Sequence, residues 1–309
     1  MQNILGEIVK DAFEVSAKGF LDIVDNVTEL LVSENGTVGN YEIKGRLVTM
    51  HHEGSAIIIG DIHGDLESLV EILTRSDCIQ RMKKNNNSYV IFLGDYGDRG
   101  VHSAEVYYVV LTLKLLYPEQ AILMRGNHEV SEPGLTAVPH DLPFQLRSRF
   151  GQSNNAYEGL TKLFPSLYNA VLVRDRCLMV HGGLSPNMKT PENLANARIR
   201  DSNQGLLEDL LWSDPEDTIH GVEPSPRGAG NLFGEDVTRT VLRDFNVKLL
   251  IRGHEPAEEG FKINHHGRVL TLFSRRGPPY FNAFGAYLDI NLAADLDSAE
   301  QLAPYIHSF

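Results

Sequence analysis

Ala56-Ile57-Ile58-Ile59-Gly60-Asp61-Ile62-His63-Gly64 decides the reading of this chain. Four apolar residues stop abruptly at a glycine, an acid and a histidine. A run of this length, apolar at successive positions, reads as a strand buried on both faces. The pattern recurs four times. Tyr89-Val90-Ile91-Phe92-Leu93 runs into Gly94-Asp95-Tyr96-Gly97-Asp98-Arg99-Gly100, and Ala121-Ile122-Leu123-Met124 into Arg125-Gly126-Asn127-His128-Glu129. Leu178-Met179-Val180 runs into His181-Gly182-Gly183, and Leu249-Leu250-Ile251 into Arg252-Gly253-His254. Between the first three runs, Leu66 to Arg75 and Ser103 to Leu116 have helical spacing, with Ser103 as the expected N-cap. Strand-helix alternation implies parallel strands joined by right-handed crossovers, their carboxyl ends on one edge. Ligands bind outside that edge. Five polar clusters, distant in sequence, are therefore expected to converge.

Towards the N-terminus, Ile4, Leu5, Ile8, Val9 and Phe13, then Phe20, Ile23, Val24 and Val27, share a helix face. Residues 3–33 read as a helix packed on the core. Asn35-Gly36 signals a turn, and Tyr41 to Met50 reads as strands leading into the domain. Towards the C-terminus, Val269 to Phe273 and Ala286 to Ile290 read as strands of a second sheet packed on the first. The expected class is α/β, in layers. Asp214 to Asn231, rich in proline and glycine, reads as a long functional loop. The expected division is an N-terminal helical segment over 1–45, a catalytic domain over 46–295 and a tail over 296–309.

The 309 residues suffice for one large α/β domain with a buried core. A formal charge of −13 argues against general nucleic-acid binding and against anionic membrane surfaces. No run of about 18 apolar residues suggests a membrane span. Met1 to Lys10 lacks the basic-then-apolar layout of a signal peptide, which makes the cytoplasm the default expectation. Cys78 and Cys177 are far apart and suggest neither a disulfide nor a thiolate zinc site. Negative charge does not exclude phosphorylated substrates, because bound cations reverse the local field.

Asp61, His63, Asp95, Asn127, His181 and His254 stand at the ends of the five runs. This mixed nitrogen and oxygen set suits Mn, Fe or Zn better than Ca or Mg. Six ligands exceed what one ion needs if it also binds water and substrate. Two ions sharing one carboxylate, about 3.5–4 Å apart, form a clamp for in-line displacement at phosphorus. A water held between them loses a proton near neutral pH and becomes the nucleophile. Glycines flank every ligand, as sharp turns close to a ligand require.

GDIHG, the variant GDYGDRG, RGNHE, HGG and RGH, in this order, resemble the phosphoprotein phosphatase family of metallophosphoesterases. The resemblance spans Ile57 to Ile290. It extends to Leu211-Trp212-Ser213-Asp214-Pro215, Arg227-Gly228 and Phe233-Gly234, and is closer to microbial, archaeal-like members than to animal enzymes. It implies a β-sandwich of mixed sheets flanked by helices, two metal ions and serine/threonine phosphatase activity on phosphorylated proteins or peptides. By the same resemblance, Asp61 and His63 would bind one ion, Asp95 would bridge, and Asn127, His181 and His254 would bind the other. Arg99 and Arg227 would grip phosphoryl oxygens, with Arg200 and Arg252 as rivals for the second role. His128 would protonate the leaving oxygen, oriented by Asp98. No regulatory subunit is indicated.

Two departures stand out. Gly97 replaces a larger apolar residue of relatives, which should be tolerated and gives the loop room to loosen. Ser274-Arg275-Arg276-Gly277-Pro278-Pro279-Tyr280 replaces a segment whose tyrosine reaches over the metals. By spacing, Tyr280 does not match that tyrosine, which leaves two readings: Arg275 or Arg276 takes over as a phosphate or peptide contact, or the segment is a solvent-facing loop. His51, His52, His102, His140, His220, His265, His266 and His307 lack motif context and read as surface or core histidines. The competing readings are a dinucleoside tetraphosphate hydrolase and a non-catalytic phosphoprotein-binding module. Glu129, the LWSDP segment and Arg227 weigh against the first; the complete ligand set and His128 weigh against the second.

Overall fold

The five apolar runs all become strands, but of two sheets rather than one. A computed structural model describes residues 4–130, 135–198 and 205–309. In chain order the strands are β1 (Gly36–Val38), β2 (Tyr41–Lys44), β3 (Leu47–Met50), β4 (Ser55–Ile59), β5 (Ser88–Phe92), β6 (Ala121–Leu123), β7 (Ala170–Val173) and β8 (Cys177–Val180). They continue as β9 (Asp214–Pro215), β10 (Val222–Pro224), β11 (Asn231–Phe233), β12 (Leu249–Arg252), β13 (Phe261–Asn264), β14 (Val269–Leu272), β15 (Ala286–Asn291) and β16 (Ile306–Ser308). One sheet has the order β16-β15-β4-β5-β6, the other β1-β2-β3-β7-β8-β12-β14-β13, and β10-β11-β9 form a small third.

The strands β4, β5 and β6 run parallel, as the alternation requires, with Ile57 opposite Val90 and Phe92 opposite Leu123. The other two cluster-bearing strands, β8 and β12, are parallel to each other in the larger sheet. The expected single second sheet is thus corrected. Strand β14 pairs with β12 in the larger sheet, and β15 pairs with β4 in the smaller one. Short runs buried on both faces carry no mark of which sheet they join.

Alternation along the larger sheet shows its two faces. Val48, Met50, Val171, Val173, Met179, Leu249, Ile251, Leu270 and Leu272 join the main core with the smaller sheet. Their neighbours Leu47, Ala170, Leu172, Leu178, Val180, Leu250 and Val269 form a second core. That core packs against α8 (Pro191–Asn196), α9 (Leu206–Trp212) and α10 (Glu235–Asp244). The smaller sheet is covered by α1 (Ile4–Glu14), α2 (Ala17–Ser33), α3 (Leu66–Arg75), α4 (Cys78–Lys84), α5 (Ser103–Leu116), α6 (Leu142–Phe150) and α7 (Ala156–Leu163). Helices lie on both sides of the paired sheets, as expected of a β-sandwich flanked by helices.

The N-terminal helical stretch divides at Val15-Ser16. Ser16 is extended and caps α2 by accepting from Gly19 N at 3.1 Å. Phe20, Val24, Val27 and Leu31 line one face of α2 and are fully buried, against α5 and α7. Each such burial contributes about 1.5–3 kcal/mol. Ser103 begins α5 but does not cap it, since its hydroxyl accepts from Asp98 N at 3.1 Å. Among the described residues, no helix is long and apolar enough to cross a membrane.

Candidate active site

The carboxyl ends of β4, β5, β6, β8 and β12 meet where the edges of the two large sheets adjoin. All six residues proposed as metal ligands lie there, each buried. His63, Asp95 and His128 have potential ligand atoms within 4.8 Å of one another, and so do Asp95, His181 and His254. Asp95 belongs to both groups. Asp61 falls outside the first group and His128 inside it, yet their bonding argues for the reverse assignment. Asp61 Oδ2 is buried, has no hydrogen-bond partner, and is 3.6 Å from His63 Nε2. The Nδ1 of His128 is committed to Asp98 at 2.6 Å.

The imidazoles are held so that one nitrogen of each faces the centre. His63 Nδ1 donates to Gly97 O at 3.0 Å and His181 Nδ1 to Leu93 O at 2.9 Å. Their Nε2 atoms are each 3.4 Å from an Asp95 oxygen. His254 presents Nδ1 instead, 3.0 Å from Asn127 Oδ1, and Trp212 packs edge-on against its ring. His181 Nε2 is also 3.0 Å from Asn127 Oδ1. A backbone carbonyl that fixes the tautomer of an imidazole is a usual support for a metal ligand.

Burial pushes the Asp61 carboxyl up to about 7, and burial together with the Asp61 and Glu129 charges holds Asp95 well above the usual carboxylate range. Burial also drives His63, His181 and His254 down, which keeps the rings neutral. Neutral imidazoles beside carboxylates that repel one another form a donor set that a cation would complete. With an orphaned carboxylate oxygen at Asp61, the residues fit metal ions. No thiolate is nearby, since Cys78 and Cys177 are free cysteines packed in the main core.

Close packing fixes the loops. A Cβ on Gly253 would lie 2.4 Å from Asp61 Oδ1, so only glycine lets His254 N donate to that oxygen at 2.8 Å. Gly97 does not loosen its loop, because the Tyr107 ring fills the space a side chain would need. Glu129 is the missed residue of this region. Its carboxylate accepts from Asp95 N, Tyr96 N, Gly126 N and the Tyr107 hydroxyl, all within 3.1 Å. It thereby ties the loop after β5 to the loop after β6. Glu129→Ala would strand these buried donors at about 1–3 kcal/mol each. Urea unfolding should show a loss of at least about 3 kcal/mol; a loss under about 1 kcal/mol would contradict the role.

Five site residues other than glycine have left-handed backbone: His63, Asp95, Asp98, Arg99 and His254. Each such conformation costs about 1–2 kcal/mol. Hydrogen bonds across the loops hold them there.

A cleft of about 390 Å³ opens over these residues, lined by His63, Asp95, Asn127, His128 and His254, with Arg99, Arg227 and Tyr280 around them. Arg99 Nη2 is 3.5 Å from His128 Nε2, and its Nε has no partner among the described residues. Asp214 Oδ2 accepts from Arg227 Nε at 2.6 Å, which gives the LWSDP segment a physical task. Arg252 is buried and engaged with Gly182 O, Asp214 and Glu255, so it does not face the cleft. Arg200 lies outside the described residues.

The loop after β14 departs from the expectation. The ring of Tyr280 stacks on His63, with centroids 5.6 Å apart, and the Arg99 and Arg275 guanidiniums flank it. Arg275 turns inward, donating to His63 O at 3.0 Å and to Pro278 O. Arg276 pairs with Glu71 at 2.9 Å. Neither arginine lines the cleft, whereas Tyr280 does. Both line an adjoining groove of about 880 Å³ that shares Arg99 with it. Tyr280 reaches the cleft because its loop doubles back: Tyr280 N and Phe281 N both donate to Gly277 O. His140 is a second departure, bonded to Asp98 rather than free of the site.

The family model described as calcineurin-like phosphoesterase matches residues 54–258. A protein of Encephalitozoon cuniculi (strain GB-M1), named a probable serine/threonine-protein phosphatase, is 34% identical over 264 residues. The match covers 84% of this chain and 55% of that protein, so the chain spans little more than half the length of this relative. A serine/threonine phosphatase structure from Saccharomyces cerevisiae, described as similar to human phosphatase PP5, superposes with a TM-score of 0.75 at 22% identity. It covers 96% of this chain and 90% of its own. A cold-active protein-tyrosine phosphatase of a psychrophilic Shewanella gives 0.56 at 18% identity, over 86% and 80%. At these identities the structural likeness is one of fold. With more than half of its length matched by one family model, and side-chain clusters at the strand ends that could hold metal ions, the chain belongs to the calcineurin-like phosphoesterase family.

Proposed function

We propose that the chain is a metal-dependent serine/threonine protein phosphatase that hydrolyses phosphate monoesters of phosphorylated proteins or peptides. The observation that carries the reading is one cleft holding a two-group ligand set, two arginines and a histidine-aspartate pair. Asp61 and His63 would hold one ion, Asn127, His181 and His254 the other, and Asp95 both. The ions, with Mn first and Fe or Zn as alternatives, supply Lewis-acid polarisation and activation of water.

The chain's own residues do the rest. Arg99 and Arg227 bind phosphoryl oxygens, where a planar guanidinium matches the geometry and offsets developing charge. Asp214 aims Arg227 by its ion pair. His128 donates a proton from Nε2 to the departing seryl or threonyl oxygen, a poor leaving group as an alkoxide. Its Nδ1 remains bonded to Asp98. Burial alone raises the Asp98 carboxyl, but hydrogen bonds from His128 and His140 outweigh it and hold the group well below the usual range. Asp98 thus stays anionic and accepts from His128 Nδ1, which orients the ring. Tyr280 shields the His63 side of the cleft from water. Arg276, along the adjoining groove, would meet the polypeptide flanking the phosphate, while Arg275 holds the loop from within through His63 O and Pro278 O. The expected setting is the cytoplasm.

The test is turnover of phosphoserine, phosphothreonine and phosphotyrosine peptides with Mn, beside a dinucleoside polyphosphate. The first two peptides should be preferred, and His128→Ala should lose about 10²–10⁴ in kcat on them. Preference for the polyphosphate, or an unchanged His128→Ala variant, would sink the reading.

A further inference from the structure

Asp98 does not serve His128 alone. Its Oδ2 lies 2.6 Å from His128 Nδ1 and 2.8 Å from His140 Nδ1. Its Oδ1 accepts from Asp141 N at 2.8 Å and Leu142 N at 2.6 Å. The carboxylate is fully buried, and these four contacts fill its acceptor sites. A carboxylate only accepts, so both facing imidazole nitrogens carry hydrogen. The other end of His140 is also anchored. Its Nε2 is 2.9 Å from the Tyr157 hydroxyl, which donates to it while the ring is neutral. Tyr157 stands on α7, so the chain Tyr157–His140–Asp98–His128 links the helical layer to the cleft. The same segment grips the neighbouring arginine: Val138 O accepts from Arg99 Nη2 at 3.0 Å, and Asp141 Oδ1 from Arg99 N at 3.0 Å.

We propose that His140 is a positioning residue for the reaction, holding Asp98 so that Oδ2 faces His128 and keeps its Nε2 directed at the leaving oxygen. The proposal rests on the phosphatase reading above. Neither residue bonded to His140 is a proposed metal ligand, so the role is separable from metal binding. Without the His140 donor, Asp98 keeps its two backbone bonds but has one donor fewer at Oδ2. The carboxylate can then rotate and admit water beside His128. Binding of the phosphoryl group by Arg99 and Arg227 does not pass through this bond. The loss therefore falls on proton delivery, and only where the leaving group needs the proton.

The experiment compares wild type, His140→Ala, His140→Asn and Tyr157→Phe on a phosphoserine peptide and on p-nitrophenyl phosphate, whose leaving group needs little protonation. Metal content and thermal midpoint are measured alongside. His140→Ala should lose roughly tenfold in kcat on the phosphopeptide, a part of what general-acid catalysis contributes, with KM within about twofold. Its turnover of the aryl phosphate should stay within about twofold of wild type. His140→Asn, whose amide can donate in place of Nδ1, should recover most of the phosphopeptide turnover. Tyr157→Phe should give the same selectivity at smaller size. Equal losses on both substrates, or no recovery in a folded, metal-replete His140→Asn variant, would overturn the positioning role and leave the phosphatase reading intact. A wild type that hydrolyses the aryl phosphate but no phosphopeptide would sink that reading and the positioning role with it.

Discussion

Asp95→Asn is expected to lose more than about 10³ in kcat on a phosphoserine peptide, because both proposed ions depend on this one side chain. Asp95 belongs to both candidate ligand groups, and its oxygens lie 3.4 Å from His63 Nε2 and from His181 Nε2. It also accepts from His128 N at 3.0 Å, so it sets the backbone of the proposed acid. Asparagine keeps the shape and one acceptor but loses the charge. At about 1.4 kcal/mol per factor of ten, a loss of 10³ needs only about 4 kcal/mol of transition-state stabilisation. One carboxylate shared by two cations readily contributes that much. Metal analysis should show both occupancies falling together. A variant that keeps two ions and wild-type turnover would show that Asp95 does not bridge. Asp61→Asn should instead lower one occupancy.

Adding Mn to the metal-free protein is expected to raise its thermal midpoint by roughly 6 °C per ion at a thousandfold excess over Kd. Binding at that excess contributes about 4 kcal/mol, and the unfolding entropy of a chain of this length converts it to that shift. The proposed ligands follow strands of both large sheets, so bound ions would fasten one sheet to the other. The effect should depend on pH in a definite sense. In the metal-free protein the Asp61 carboxyl sits at about 7, above the ordinary value near 3.9. A carboxyl raised in this way stabilises the protonated folded state at low pH, and that contribution is lost as pH climbs from about 4 to about 7. Cations take the place of those protons. The gain from Mn should therefore be small near pH 5 and large above about pH 7. Equal shifts at both ends, followed by calorimetry, would contradict the cluster as the binding site.

The strand runs and their terminal clusters were legible because burial on both faces leaves an unbroken apolar signature and function interrupts it with polar residues. Asp61, Asp95, Asn127 and His254 could be singled out for that reason. The division into two sheets was not legible, since Ile57 to Ile59 and Leu249 to Ile251 look alike in sequence and pair with different partners. Counting residues from Ser274 does not place Tyr280 at the cleft. Two bonds to Gly277 O shorten the path by folding the loop, and linear spacing does not record a turn. His140 and Glu129 act through partners 42 and 34 positions away, at Asp98 and Asp95. No local periodicity carries contacts of that range.

The left-handed backbone at His63, Asp95, Asp98, Arg99 and His254 sets the terms on which this protein could be made more robust. A search for heat-resistant variants under no demand for turnover would be drawn to these positions, where glycine or asparagine releases conformational strain. The hardiest descendants of such a search would carry their mutations around an emptied cleft. Selection for hydrolysis has to act against that drift at five places at once, and rigidity gained elsewhere, in α2 or the second core, is the route left open to it.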